Sequence, residues 1–344
     1  METSHRVEVA DARELDLPDE SVELVVTSPP YPMIEMWDGT FAELDSAVAD
    51  RLDDGEGQAA FELMHEALDP VWEELARVLV PGGIACINVG DATRKVDEEF
   101  RLYPNHAEIL NRLTDRGLSP LPDLLWRKPA NSAAKFMGSG MVPPNAYLTL
   151  EHEYVLVVRK GDGRTFPPGA QRRYESAYFW EERNEWFSDL WTDVRGVDQT
   201  LDAATRERSG AFPFELPYRL ICMFSVYGDT VLDPFWGTGT TSLAAMVAGR
   251  NSVGYELDPE LVTAFEDRIE RVPGLSEDVL GGRLEAHREF VTENPGKAGY
   301  EAEHYDFSVV TKQEREIRFY AVEGVDERVG NDTEYVARHE AYPE

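Results

Sequence analysis

The chain has 344 residues, with 33 Lys+Arg against 66 Asp+Glu and a formal net charge of −33 at pH 7; at ordinary salt such a surface repels polyanions unless a patch of opposite sign intervenes. Two cysteines exclude a disulfide framework and a zinc quartet, and the seven histidines form no H-x-x-x-H pair. With no run of 18 apolar residues and no leader pattern, we expect a soluble, cytoplasmic protein without a membrane partner or a metal, long enough for one large α/β domain plus additions.

In chain order, the apolar run Val22 to Val26 predicts a buried strand that delivers Thr27-Ser28-Pro29-Pro30-Tyr31 at its carboxyl end. The two prolines fix φ and lack N–H donors, so nearby carbonyls cannot join a regular ladder and can point outward as acceptors. A flipped base stacked on Tyr31 would donate its amino group to the Ser28 side chain and the Pro29 carbonyl, leaving the nitrogen lone pair aimed at an electrophile. Asp45 to Gln58 reads as a solvated acidic loop near that mouth. Ala59 to Val80 shows helical spacing, and Ile84 to Val89 predicts a second buried strand.

Positive charge gathers next. From Arg116 to Arg173 nine basic residues face four acidic ones, and Arg127, Lys128, Lys135, Arg164, Arg172 and Arg173 are the candidate contacts to a polyanion. Lys128 to Gly140 is too polar and Gly-rich for a core. Gly161 to Asp198 mixes arginines with Tyr174, Tyr178, Trp180, Trp186 and Trp191, a combination suited to base-edge reading and stacking; a solvated insertion held by aromatic packing is the plainer alternative.

Leu216 to Val226 returns to helical spacing, and Asp229 to Thr241 then reads as strand, glycine turn and helix start. Gly237 and Gly239 let backbone approach a ligand, while Thr240, Thr241 or Ser242 can cap the helix. A further apolar run, Ser252 to Tyr255, ends in Glu256, placed to accept hydrogen bonds from ribose hydroxyls. From about Glu285 onward the residues alternate and predict a small β appendage.

The Asp233-Pro234-Phe235-Trp236-Gly237-Thr238-Gly239-Thr240-Thr241 stretch and Ser28-Pro29-Pro30-Tyr31 resemble the cofactor and catalytic loops of S-adenosylmethionine-dependent DNA amino methyltransferases. The catalytic motif comes first, as in the beta class, which implies a circularly permuted, Rossmann-like, doubly wound and mostly parallel sheet. The resemblance also implies that Asp11, in Val7 to Arg13, approaches the cofactor adenine. It implies that Phe214, in Phe212 to Pro217, contacts the methionine end, with Pro234 and Phe235 in the same site. Leu124 to Lys128 and Glu151 to Lys160 are similar to a strand pair flanking the base pocket, and 161–211 occupies the place of a target-recognition segment. The expected organisation is a catalytic half over 1–160, that segment, a cofactor half over 212–275 and the appendage over 276–344.

An exocyclic amino nitrogen is a poor nucleophile because its lone pair is delocalised, so in-line transfer from a sulfonium methyl depends on positioning and electrostatic fit. Cys86 and Cys222 sit in apolar segments and read as core residues, which argues against a thiolate route to carbon 5 of cytosine. His152 reads as a strand-end histidine. In the resembled family a Ser at position 28 accompanies cytosine N4 transfer, where Asp accompanies adenine N6. Adenine or RNA as the target, and a non-catalytic regulator that retains the fold, remain competing readings. Only six of the 33 basic residues are Lys; acidity with scarce lysine resembles salt-in halophile proteins, whose archaeal methyltransferases suggest a short palindrome such as CTAG. Double-stranded DNA with an extruded base is the expected partner, and a homodimer is compatible with the sequence.

Overall fold

The computed structural model describes residues 1–128, 142–194, 212–329 and 333–343. Its strands are β1 (Glu2–Val9), β2 (Val22–Thr27), β3 (Leu79–Val89), a β4–β5 hairpin (Ala92–Val96, Glu99–Tyr103), β6 (Leu118–Pro120), β7 (Leu124–Arg127), β8 (His152–Lys160) and β9 (Leu190–Trp191). They continue with β10 (Thr230–Asp233), β11 (Asn251–Glu256), a β12–β13 pair (Tyr300–Glu301, Ser308–Val309), β14 (Tyr320–Val329) and β15 (Thr333–Ala341). Eleven strands form one sheet in the order β14-β15-β1-β11-β10-β2-β3-β8-β7-β9, with β6 also on β8. From β1 to β3 every neighbouring pair is parallel.

Both faces of this sheet are covered, which is why its strands are continuous apolar runs rather than alternating ones. Successive side chains point to opposite faces. Leu24, Val26 and Cys86 pack with the helices Glu215–Phe224 and Thr240–Ala248 in one cluster, and Val25, Ala85 and Ile87 pack with the helix Gly57–Val78 in the other. In that 22-residue helix Phe61, Met64, Leu68, Val71, Trp72, Leu75 and Val78 are buried at three- and four-residue spacing, forming the stripe that seats it on the sheet. Pro81-Gly82-Gly83 forms a bulge inside β3, where the pairing with β2 shifts register and Gly82 takes φ +84°.

Two expectations change. Asp45 to Gln58 contains the helix Ala47–Asp53, seated by the fully buried Val48. Residues 285–293 belong to a 22-residue helix, Val272–Glu293, whose buried Val272, Ser276, Leu280, Leu284 and His287 form one stripe. The strands beyond it do not stand apart, because β15 pairs antiparallel with β1, His5 opposite Tyr335, and β14 pairs with β15. No helix among the described residues is long and apolar enough to cross a membrane.

Candidate active site

The chain reverses its winding between β10 and β2: β10 leads outward to β11 on one side, β2 to β3 on the other. In an open α/β sheet the crevice at the carboxyl ends of such strands is where ligands bind. Here Ser28 follows β2, Asp233 ends β10 and Glu256 ends β11. The two motifs, some two hundred residues apart, are stapled by one carboxylate. Asp233 accepts from the Thr27 hydroxyl at 2.6 Å, the Thr241 hydroxyl at 2.7 Å and the Phe235 amide at 3.2 Å. Burial pushes its carboxyl up to about 6, against the lowering effect of those donors.

A cavity of about 550 Å³ opens at this edge, lined among others by Asp11, Arg13, Ser28, Pro30, Trp37, Pro234, Phe235, Gly237 and Glu256. That volume lies in the range of small-molecule and cofactor sites. Glu256 is fixed by two backbone donors, Gly237 N at 2.7 Å and Asp258 N at 2.9 Å, while burial raises its pKa. Asp11 is clasped by Arg13 at 2.7 Å, with its pKa lowered by those Arg13 hydrogen bonds despite burial. The wall carries Asp11, Glu43, Glu256 and Asp258 against Arg13, a balance suited to a ligand with a cationic centre.

Other expected ligands stand behind the wall. Asp233 commits its carboxylate to the staple. Thr240 meets Thr238 and Arg268, and Arg268 also donates to the Thr238 carbonyl. Gly239 has φ +74°, and a Cβ there would lie 2.5 Å from Phe265 and Trp236, so its glycine serves a close approach of core aromatics rather than of a ligand. Phe214 stacks on Tyr218, centroids 5.4 Å apart.

Tyr31 is partly buried and its hydroxyl is committed. It lies 3.0 Å from Ser28 Oγ, donates to Glu153 Oε2 at 3.1 Å and accepts from Asn88 Nδ2 at 2.8 Å. Asn88 Nδ2 also donates to Glu153 Oε2 at 2.7 Å, and Lys128 Nζ donates to Glu153 Oε1. Gly90 makes room for this group, since a Cβ there would sit 3.2 Å from the Tyr31 ring and 3.3 Å from Glu153. The chain after Tyr31 is pinned by buried Asn105, which donates to the Pro32 and Gly90 carbonyls, each at 3.0 Å. His65, lowered to about 3 by burial, is neutral and donates to Asn105 Oδ1. Asn88, Asn105 and Glu153 were not among the expected site residues. For Asn88 and Glu153 the one signal is a buried polar side chain beside the apolar run of its strand, Asn88 in β3 and Glu153 in β8, whereas Asn105 opens the helix Asn105–Asp115 without such a signal.

The basic residues divide. Arg127 ends β7 and Lys128 follows it, at the same sheet edge as Ser28, where Arg127 pairs with Glu151 at 3.1 Å. Arg164 is held by Asp229 at 2.5 Å, just before β10 begins, and thus at the opposite edge. Arg173 and Arg164 flank the Phe166 ring there, 5.1 and 5.0 Å from its centroid, and Arg172 lies beside Gly228. The expected single DNA face over Arg116 to Arg173 is therefore corrected: the chain crosses the whole sheet along β8, and Arg164, Arg172 and Arg173 end up on the far side from Ser28. Lys135 lies outside the described residues. Cys86 and Cys222 are buried, both thiols pushed up by desolvation, and no three metal-ligating side chains cluster among the described residues.

Comparison with known proteins agrees with this geometry. A DNA methylase family model of the N6/N4 type matches residues 22–267. The type II methyltransferase M.MthZI of Methanothermobacter thermautotrophicus is 51% identical over 325 residues, covering 93% of this chain and 91% of that protein. M.MjaI of Methanocaldococcus jannaschii is 51% identical over 279 residues, 78% of this chain and 91% of its own. Among solved structures, a DNA modification methylase assignment from Thermus thermophilus, in complex with S-adenosyl-L-methionine, aligns with TM-score 0.61 at 34% identity, covering 78% of this chain and 95% of that one. The acid-lined cavity, with Glu256, Pro234 and Phe235 among its lining residues, fits that cofactor's sulfonium charge, and a bound cofactor would supply an activated methyl group there. The chain belongs to the N6/N4 amino-methylase family of DNA methyltransferases, whose cofactor is S-adenosyl-L-methionine.

Proposed function

We propose that this methyltransferase acts on the exocyclic N4 of cytosine, in a short double-stranded target such as CTAG, after extruding the base. The observation that carries the reading is Ser28: its hydroxyl lies on the cavity wall, between the cofactor loop and Tyr31. A hydroxyl whose proton is taken by Tyr31 offers only lone pairs to an incoming amino group. The extruded base stacks on the exposed part of the Tyr31 ring and donates to Ser28 and the Pro29 carbonyl. Asp11 receives the cofactor adenine and Glu256 the ribose hydroxyls. Phe214 and Asp233 act from behind the wall, orienting the segments that meet the cofactor. Arg127 and Lys128, at the catalytic edge, are the proposed DNA contacts. The excess of acid over base in the composition supports a protein adapted to a salt-rich cytoplasm.

Purified enzyme, tritiated cofactor and unmethylated plasmid DNA or RNA, followed by digestion to nucleosides, test this. We expect label in N4-methylcytosine from DNA; label in N6-methyladenine or in RNA nucleosides would replace the base or the substrate.

A further inference from the structure

The line Ser28, Tyr31, Glu153 runs inward from the cavity wall, and its hydrogen-bond directions are set from the inner end. An ionised carboxylate only accepts, so Asn88 must turn its nitrogen toward Glu153 Oε2 at 2.7 Å, and the same nitrogen donates to the Tyr31 oxygen. A charged acceptor outcompetes a neutral hydroxyl, which directs the Tyr31 proton to Glu153 at 3.1 Å. With that proton committed, Tyr31 can only accept from Ser28, 3.0 Å away. The Ser28 proton then points into the protein and its lone pairs face the cavity.

We propose that Ser28, Tyr31 and Glu153 form a proton relay that carries the surplus proton of the methylated amino group to Glu153, with Asn88 and Lys128 fixing its direction. The relay rests on the amino-methylation reading and serves either base. As the nitrogen bonds to the methyl carbon, the carbon–sulfur bond breaks and its electron pair stays on sulfur, leaving the nitrogen with one proton too many. That N–H bond breaks toward Ser28 Oγ, the Ser28 proton passes to Tyr31 and the Tyr31 proton to Glu153. Both hydroxyls are restored and one carboxylate becomes a carboxylic acid. Burial, the largest cause, with the Glu153 charge beside it, pushes the Tyr31 phenol well above its ordinary value, so it enters as a neutral donor. Lys128, whose side chain is 45% exposed, connects the Glu153 carboxylate with solvent. Glu153 touches no substrate; it is a positioning residue that acts through two hydroxyls.

The test is single-turnover methyl transfer to unmethylated plasmid DNA as a function of pH, for the wild type, Tyr31→Phe and Glu153→Gln, with S-adenosyl-L-methionine affinity measured on each. Tyr31→Phe keeps the ring and removes only the relay oxygen; Gln keeps the shape of Glu153 but cannot take the proton. Expected are unchanged cofactor affinity, transfer slowed by about 10²-fold in both variants, and loss in Glu153→Gln of the wild type's decline toward acid pH. Transfer at the wild-type rate in either variant overturns the relay, as does a slowed rate with an unaltered pH profile, which is what a merely structural role gives. Should Glu153→Gln fail to bind the cofactor, Tyr31→Phe decides alone. Label on adenine in the wild-type product would correct the base and leave the relay standing.

Discussion

At the scale of single residues, the positions proposed to carry chemistry divide by how they announce themselves. Ser28, Gly237 and Glu256 stand in or just beyond local patterns whose backbone demands are legible from neighbours: prolines that stop a ladder, glycines that turn, an acid ending a strand. Asn88 and Glu153 work through partners 57 and 65 residues distant, and distance in sequence hides them. Asp233 was legible as part of the site but not in kind, because its three donors come from the catalytic strand, its own turn and the helix that follows. Its pH behaviour gives a test. The folded-state value of about 6 lies above the ~3.9 of an unfolded chain, so the folded protein holds this proton more tightly. Its contribution favours folding fully below pH ~4 and is lost as pH rises through 6. In urea unfolding of the wild type and Asp233→Asn, the wild type should lose on the order of 2 kcal/mol relative to the variant between pH 4 and pH 7; parallel pH curves would show that this carboxyl is not held up.

Among elements, the central strands and the two long-spaced helices were legible because both faces of the sheet are covered and the pattern is strong. The helix Val272–Glu293 was not: its stripe of five buried residues is diluted by charges and by Gly281-Gly282, and two of its five stripe members are Ser276 and His287. His287 holds its interior place through Glu181 at 2.7 Å and stacking on Phe179 at 4.0 Å, contacts no local pattern encodes. Alternation beyond Glu285 suggested only a separate β appendage, and the attachment of β15 to β1 was not legible, since pairing across more than 300 residues leaves no periodic trace. The same limit divided the basic segment. A charge count along the chain is blind to β8 crossing the sheet, which carries Lys128 and Arg164 to opposite edges.

For the whole molecule the ruling quantity is a formal net charge of −33. Self-repulsion of that size works against the compact state and against DNA alike, and both effects shrink as the screening length falls from ~10 Å at 0.1 M salt to ~3 Å at 1 M. Thermal unfolding followed from 0.1 to 2 M KCl should therefore show a midpoint that climbs with salt, and a flat or falling midpoint would remove the salt-adapted reading. Everything else hangs on one cavity lined by two distant loops, in which we propose that Ser28 receives the amino group and Gly237 with Glu256 the cofactor. The most direct measurement takes a single Ser28→Ala preparation and determines both its S-adenosyl-L-methionine affinity and its rate of N4-methylcytosine formation. The expected result is intact affinity with methylation reduced by about 10²-fold; undiminished methylation, or a loss that follows cofactor affinity alone, would contradict it.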